Sequence, residues 1–411
     1  MRVLYFHQHF TTPKDNGGTR SYELAKKLIE KGHKVTMVCG KTVELDLPIK
    51  KSETISKGNI DGINVIQINL SYSNKDGLFK RAIGFLKFAF NGIKIINKEK
   101  FDLVFATSTP LTAGIPALWM KIFNKNSKKF IFEVRDLWPE LPKALGLKNK
   151  FLLWGMKVLE SSSYNRSDGC IGLSPGICDG IHKTLNKDIP VTMIPNGCDL
   201  DIFKPLKNKK LELKGIDNSD FVAVFTGAHG IANGLEAVLD LALELIKRKR
   251  KDIKIAFIGS GKLKDSLIER AESEGLNNCF FYDPVPKIEL NKIVANANVG
   301  LMVLKNIPEF YYGTSPNKFF DYISSGIPVV NNYPGWIADM INKYEIGEAV
   351  DPDNSLLFAD AIEKLADNHI LAKKYGKNAR ILAEKSFSRD DLSEKFVGFI
   401  EEIQVINNTD H

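Results

Sequence analysis

Cysteine is scarce in this chain. There are five in 411 residues, Cys39, Cys170, Cys178, Cys198 and Cys279, and no two stand at CxxC spacing. A zinc ribbon or a disulfide framework is therefore not expected, and the expected compartment is a reducing cytoplasm. No apolar run approaches the ~20 residues needed to span a bilayer. The apolar stretch ahead of His7 is too short for a signal-peptide core and reads as a first buried strand. There is no Walker A motif and no GxGxxG. Basic residues are dispersed and no nucleic-acid-binding module is visible, so nucleic acid is not an expected partner. The 57 Lys+Arg against 49 Asp+Glu leave a net charge of +8. That surplus suits anionic partners such as nucleotide phosphates or an acidic membrane surface, and it equally suits ordinary solubilising lysines.

What is present is a repeated alternation. The length points to two domains. Continuous apolar runs at Val3–His7, Lys34–Val38, Asn64–Ile68, Leu103–Thr107, Phe130–Val134, Gly169–Leu173 and Val191–Ile194 read as strands covered on both faces. Between them lie segments of helical spacing, such as Gly18–Lys31 with Tyr22, Ala25, Leu28 and Ile29 on one face. The pattern restarts after residue 220, with strands at Phe221–Phe225, Lys254–Ile258, Cys279–Tyr282, Gly300–Leu304 and Pro328–Asn331. The turn-rich, then charged, stretch Pro195–Asp220 reads as the seam. The expectation is an α/β protein of two doubly wound, Rossmann-like domains, residues 1–198 and 199–387, facing across a cleft. A terminal helix at about 388–405 is expected to pack back on the first domain, and disorder is expected only at Asn407–His411.

Six stretches could carry chemistry. The turn holding Gly17 and Gly18 sits between the first strand and a helix, where helix-start amides can approach an anion; a plain turn is the alternative. Phe225-Thr-Gly227-Ala-His-Gly230 repeats that layout at the start of the second half. Gly259-Ser-Gly261-Lys262 follows the next strand, and Lys262 could pair with a diphosphate or simply be solvated. In Ser315-Pro-Asn317-Lys318-Phe-Phe-Asp321, Pro316 starts a short helix that Gly326 ends. Asp321 there can accept hydrogen bonds from two vicinal ribose hydroxyls. Phe130-Ile-Phe-Glu133-Val-Arg135-Asp136 puts charge at the end of a buried strand, which packing explains poorly; an internal ion pair of Arg135 is the alternative. Finally, residues 78–96 form a helix with a narrow Lys stripe and a wide Phe/Ile face including Phe85, Phe88 and Phe90. It is either an interfacial helix on an anionic membrane or a core helix.

Together these motifs resemble family-4 glycosyltransferases of the GT-B fold, over nearly the whole chain. Gly17-Gly18 is similar to the N-terminal glycine loop, and Pro195-Asn-Gly-Cys-Asp-Leu-Asp-Ile-Phe-Lys-Pro205 to the family's hinge signature. Asp283-Pro-Val285-Pro286 resembles the segment that meets the nucleotide base, and Ser315–Val330 the donor-binding segment. Arg135-Asp-Leu-Trp-Pro-Glu140 is similar to a bacterial surface-polysaccharide branch that includes N-acetyl-L-fucosamine transferases. The chain departs from the family where Gly313 replaces a sugar-contacting glutamate, for which Glu309 is the nearby candidate, and where the basic residue after the Gly227 turn is missing.

The resemblance implies a retaining, metal-independent transfer with no cofactor beyond a nucleotide-sugar co-substrate, UDP-linked, carrying an N-acetylated amino sugar. The implied acceptor is a polyprenyl-diphosphate-linked saccharide of O-antigen or capsule synthesis, at the inner face of the cell membrane. The donor set is Gly227, Gly230, Gly261, Lys262, Val285, Ser315, Asn317, Lys318 and Asp321. Asp136 and Lys262 are the catalytic candidates, and Gly17, Gly18, Arg20 and Arg135 form the acceptor or phosphate loop. Cleft closure would keep water from the donor. A UDP-sugar 2-epimerase of the same architecture and a non-catalytic sugar-nucleotide-binding module stay open.

Overall fold

The computed structural model describes residues 1–15, 17–41, 50–51, 54–71, 77–123, 128–206 and 212–405. Asn16 of the first glycine turn, residues 207–211 of the Pro195–Asp220 stretch and the terminal Asn407–His411 lie outside the described residues. The chain forms two compact units. The first is built chiefly from Met1–Pro195 with the stretch from Asp390 onward; the second runs from Asn196 to Tyr312 and from Pro316 to Arg389.

Among the described residues the first unit carries nine strands: β1 (Arg2–Phe6), β2 (Lys34–Lys41), β3 (Lys50–Lys51), β4 (Ile55–Ile60), β5 (Ile63–Ser71), β6 (Leu103–Thr107), β7 (Lys129–Val134), β8 (Gly169–Gly172) and β9 (Val191–Met193). Their order is β3-β4-β5-β2-β1-β6-β7-β8-β9. From β5 to β9 the pairing is parallel throughout, as continuous apolar strands predict. Residues of β1 alternate between two cores. Val3 and Tyr5 join Leu24, Leu28, Phe396 and Ile400 on one face, so the helices Arg20–Glu30 and Arg389–Val405 cover it. Leu4 and Phe6 join Phe88, Ala117, Met120 and Tyr164 on the other, under the helices Leu78–Ile96, Ile115–Phe123 and Lys150–Arg166. Each fully buried Phe here contributes on the order of 2–3 kcal/mol.

The antiparallel partners of β4 were not expected from apolar content, because the strand is short and half exposed. Asp61-Gly62 is the signal that marks them. Both residues have positive φ, 51° and 91°, as a two-residue hairpin turn requires.

The second unit carries β10 (Phe221–Thr226), β11 (Ile253–Ile258), β12 (Cys279–Tyr282), β13 (Val299–Met302), β14 (Val329–Asn331) and β15 (Gly347–Ala349). The order is β12-β11-β10-β13-β14-β15, all parallel. Phe221, Ala223 and Phe225 pack under the helices Glu236–Lys247 and Ser355–Asp367. The two ends of this unit are tied to each other. Cys198 N–H donates to Phe387 O at 2.7 Å and Arg389 N–H to Cys198 O at 3.0 Å. Buried Asp199 accepts from both Lys287 and Arg389, and Arg389 Nη2 also donates to Gly197 O at 2.8 Å. Burial alone would raise the Asp199 carboxyl, but the two cations outweigh it and hold it below the usual carboxylate range. This is what the Asn196–Asp199 signature does physically.

Among the described residues no helix is long and apolar enough to cross a membrane.

Candidate active site

In each sheet the strand order reverses at one point, between β1 and β6 and between β10 and β13. Ligands of such sheets bind beyond the carboxyl ends of the strands there. Of the predicted residues, Arg135, Asp136, Gly227, Gly230, Gly261, Lys262 and Val285 follow strand ends, while Ser315 to Asp321 lie on and just ahead of a helix.

In the first unit, β1 runs out at His7, β6 at Ser108 and β7 at Arg135-Asp136. The Arg135 amide donates to Ser108 Oγ at 2.8 Å, which fixes the loop. The Arg135 guanidinium makes no ion pair among the described residues. It nevertheless acts on its surroundings. Burial pushes His7 well below its usual range and His9 down to about 4, and Arg135 is the strongest of the charges adding to both shifts. His7 is buried, and its Nδ1 has no partner among the described residues. Burial raises the half-buried Asp136 carboxyl, against the pull of Arg135. Asp136 has no hydrogen-bond partner among the described residues, so a ligand hydroxyl can reach it. Gly17 packs against Thr11, whose hydroxyl donates to Gly18 O at 3.0 Å. The Thr19 side chain does not cap the helix that follows, which leaves first-turn amides for an anion.

Arg20 is a correction. Its guanidinium is buried and spent on the protein. Nε and Nη2 donate to Glu133 Oε2 at 2.9 and 2.8 Å, Nη1 to Pro195 O at 2.6 Å and Nη2 to Ile194 O at 2.8 Å. Glu133 is completely buried and also accepts from Thr107 Oγ1 at 2.8 Å. The ion pair weighed for Arg135 thus exists, but it belongs to Arg20. Arg20 holds β7 to the end of β9 instead of meeting phosphate.

In the second unit the turn after β10 carries Gly227 with φ +123°, open to solvent. A Cβ there would stand 3.4 Å from Cε of Lys318. Lys318 lies in the first turn of the helix Asn317–Ser324, one residue after Asn317, with Ser315 just ahead of Pro316. Its Nζ sits 4.1 Å from the Phe225 ring centroid and donates to Asn233 Oδ1 at 2.9 Å. No carboxylate pairs with it among the described residues, and burial lowers its ammonium to about 7. It is a cation with no counter-ion among the described residues. Asn233, a neutral residue where the family carries a basic one, is the residue that aims it.

One turn on, Asp321 is buried with no side-chain partner among the described residues. Its carboxyl is raised to about 6, first by burial and also by Asp199, against Lys287 and Arg389. Tyr322 Oη accepts from the Thr226 amide at 3.0 Å and fixes the base of the Gly227 turn. Gly261 has a packing role: a Cβ there would lie 2.4 Å from His229 O, because the two strand-end turns press together. His229 donates its amide to Ser260 O at 2.9 Å, and its ring is buried between Phe225, Phe257 and Phe281 with neither nitrogen partnered among the described residues. Burial holds that ring neutral, down to about 4. Around Gly230 the space is open. Lys262 is exposed and unpaired among the described residues, while its neighbour Lys264 is tied to Asp283 at 2.7 Å. Val285 is half-buried in the loop after β12. Glu309 is exposed on a short helix, Pro308–Tyr312, a few residues before Gly313.

Residues 207–382 match the family described as Glycosyl transferases group 1, and residues 17–202 match Glycosyltransferase Family 4. The chain is a glycosyltransferase with a family-4 and a group-1 domain. This glycosyltransferase is 23% identical over 341 residues to the probable glycosyltransferase WbjE of Pseudomonas aeruginosa, covering 80% of this chain and 82% of that one. It is 25% identical over 226 residues to the capsular polysaccharide biosynthesis glycosyltransferase CapM of Staphylococcus aureus, covering 52% and 56%. Its fold is GT-B. The sucrose-phosphate synthase of Thermosynechococcus elongatus superposes at TM-score 0.78 with 15% identity, over 99% of this chain and 100% of that one. Anabaena HepE in complex with UDP and glucose superposes at 0.67 with 13% identity, over 98% and 99%. In this glycosyltransferase, then, Gly227 and Lys318 stand together beyond the end of β10, with Asp321 one turn further along the helix.

Proposed function

We propose that this glycosyltransferase moves an N-acetylated amino sugar from a UDP-sugar, with retention and without a metal, to a polyprenyl-diphosphate-linked saccharide. The product belongs to a surface polysaccharide such as O-antigen or capsule, assembled at the inner face of the cell membrane with helix Leu78–Ile96 touching the lipid. The observation that carries the donor reading is Lys318, a half-buried ammonium with no carboxylate beside it among the described residues, under a glycine that leaves room above it. A diphosphate supplies the missing charge. As the sugar–phosphate bond breaks, negative charge grows on the leaving nucleotide. Lys318, Lys262 and the amides of the Gly227–Gly230 turn stabilise it. Asp321 accepts from the ribose hydroxyls, and Val285 meets the base. Asp136 orients the acceptor hydroxyl, while Arg135 and the amides after Gly17-Gly18 hold the acceptor diphosphate. Glu309 takes over the sugar contact that Gly313 lacks. The sugar carbon passes through an oxocarbenium-like state, and no protein nucleophile is required.

The relatives support the pathway: one is named for capsular polysaccharide biosynthesis and another as an O-antigen chain mannosyltransferase. HepE is a neighbour in complex with UDP. The amino sugar is supported by the likeness of Arg135–Glu140 to N-acetyl-L-fucosamine transferases.

The test begins with thermal stabilisation by UDP, GDP and TDP, because a ligand near saturation raises stability by mass action. UDP is expected to shift the melt most. No shift with any of the three removes the donor assignment. Turnover with UDP-N-acetyl sugars and a polyprenyl-diphosphate saccharide should then release UDP. Release of a free epimerised sugar nucleotide instead would overturn the transferase reading.

A further inference from the structure

The helices Leu78–Ile96, Ile115–Phe123 and Lys150–Arg166 lie side by side, the second between the other two. Phe88, Ala117, Met120 and Tyr164 turn their inner sides into one core cluster under the first sheet. Their outer sides therefore share one outward direction. That outer side is apolar to an unusual degree. Phe90 is 64% exposed, Phe123 61%, Phe151 87% and Trp154 68%. Scattered single apolar residues on a surface need no explanation, but four large aromatic groups across three adjacent helices do.

The charge on these helices points one way. Their sequences contain one carboxylate, Glu160. It is buried, accepting from the Trp138 amide at 2.8 Å and from Tyr164 Oη at 2.7 Å. Lys87, Lys94, Lys150 and Lys157 stand exposed beside the aromatics. Apolar rings interleaved with lysines fit a headgroup region carrying negative charge. A second copy of the chain fits poorly, because it would set lysines against lysines.

We propose that the outer side of all three helices together, not Leu78–Ile96 alone, is the face that docks on an anionic lipid bilayer. The inference rests on the membrane reading of the proposed function and extends it to the helices Ile115–Phe123 and Lys150–Arg166. Phe88, being core, is not part of the contact; Phe90, Phe123, Phe151 and Trp154 are.

The experiment is vesicle sedimentation of the full chain on phosphatidylcholine vesicles with and without phosphatidylglycerol. The unaltered protein is expected to bind the anionic vesicles, at least tenfold more weakly without phosphatidylglycerol, with binding falling as salt rises. A triple variant, Phe123→Ser, Phe151→Ser and Trp154→Ser, is expected to lose at least tenfold in binding with its melting curve and UDP stabilisation unchanged. A second variant, Lys150→Glu with Lys157→Glu, should lose as much without touching any aromatic group, which keeps the test valid if the first folds poorly. If both variants bind like the unaltered protein while Leu86→Ser with Phe90→Ser does not, the three-helix face is wrong and the single-helix reading stands. If the unaltered protein binds neither vesicle, both readings fail. Concentration-dependent dimers in sedimentation velocity, lost in the triple variant, would assign the face to a second copy and overturn the proposal.

Discussion

The ammonium of Lys318 sits 4.1 Å from the centroid of the Phe225 ring. The ring's face attracts a cation, but a quadrupole and one amide oxygen do not replace the water that burial removes. The nitrogen is left with its usual proton affinity weakened, to about 7.

That shift makes donor binding depend on pH. In the unfolded chain Lys318 keeps its proton until about pH 10, whereas in the folded chain it gives it up near 7. Over that window the unfolded state binds more protons, so the stability of the free protein rises with pH. A diphosphate needs the ammonium, so UDP affinity moves the opposite way and falls as pH climbs through 7 toward 9. Calorimetry across pH 6 to 9 checks this, and Lys318→Met should flatten the profile. At pH 6 the same variant should bind UDP about 10–100-fold more weakly, the weight of one charge-assisted contact.

Asp321 gives a different signature. Its carboxyl is raised to about 6 against about 4 when unfolded. Between those values the folded state binds more protons, so this group costs stability once pH exceeds about 6. Asp321→Asn should therefore melt no lower at pH 7. It should still lose UDP affinity by about tenfold, as expected for lost hydrogen bonds to a charged acceptor. Discrimination between UDP and 2′-deoxy-UDP, present in the unaltered enzyme, should shrink in the variant.

The two arginines of the first unit should separate by assay. Arg20→Ala leaves Glu133 buried without its cation, which costs about 3–5 kcal/mol. For a unit of this size that lowers the melting temperature by about 10 °C. Arg135→Ala breaks no ion pair among the described residues, so it should melt normally and lose turnover. A matched loss of stability in both would remove the acceptor role from Arg135.

Chelation offers a direct check on the donor chemistry. With Lys318, Lys262 and turn amides carrying the leaving-group charge, EDTA should leave turnover within about twofold, a change worth under half a kcal/mol. A large loss restored by magnesium or manganese would mean those groups do not suffice.

Much of the architecture is legible in the order of residues. The central strands are continuous apolar runs, and a parallel sheet covered on both faces buries such runs. The hairpin at Asp61-Gly62 is missed when apolar content alone is weighed, because half of its surface faces water. The candidate site divides in the same way. Lys318 and Asp321 can be located by their spacing within one short helix. Arg20 and Arg135 cannot be told apart by spacing: both stand near glycine turns or strand ends, and only packing decides which one Glu133 takes. Asn233 carries no charge, and His229 sits in the Gly227 turn where only the glycines draw notice. Their importance comes from what lies beside them, a lone ammonium in one case and a ring of phenylalanines in the other.

The stitching of Cys198 to Phe387 and of Asp199 to Arg389 has an evolutionary consequence. A segment whose start and finish are fastened to each other can be lifted out of a gene and set into another as one cassette, with its fold closing on itself. The second unit of this enzyme is such a cassette. Recombination can exchange it among relatives, so that new pairings of donor and acceptor arise by shuffling whole modules instead of by rebuilding a pocket residue by residue.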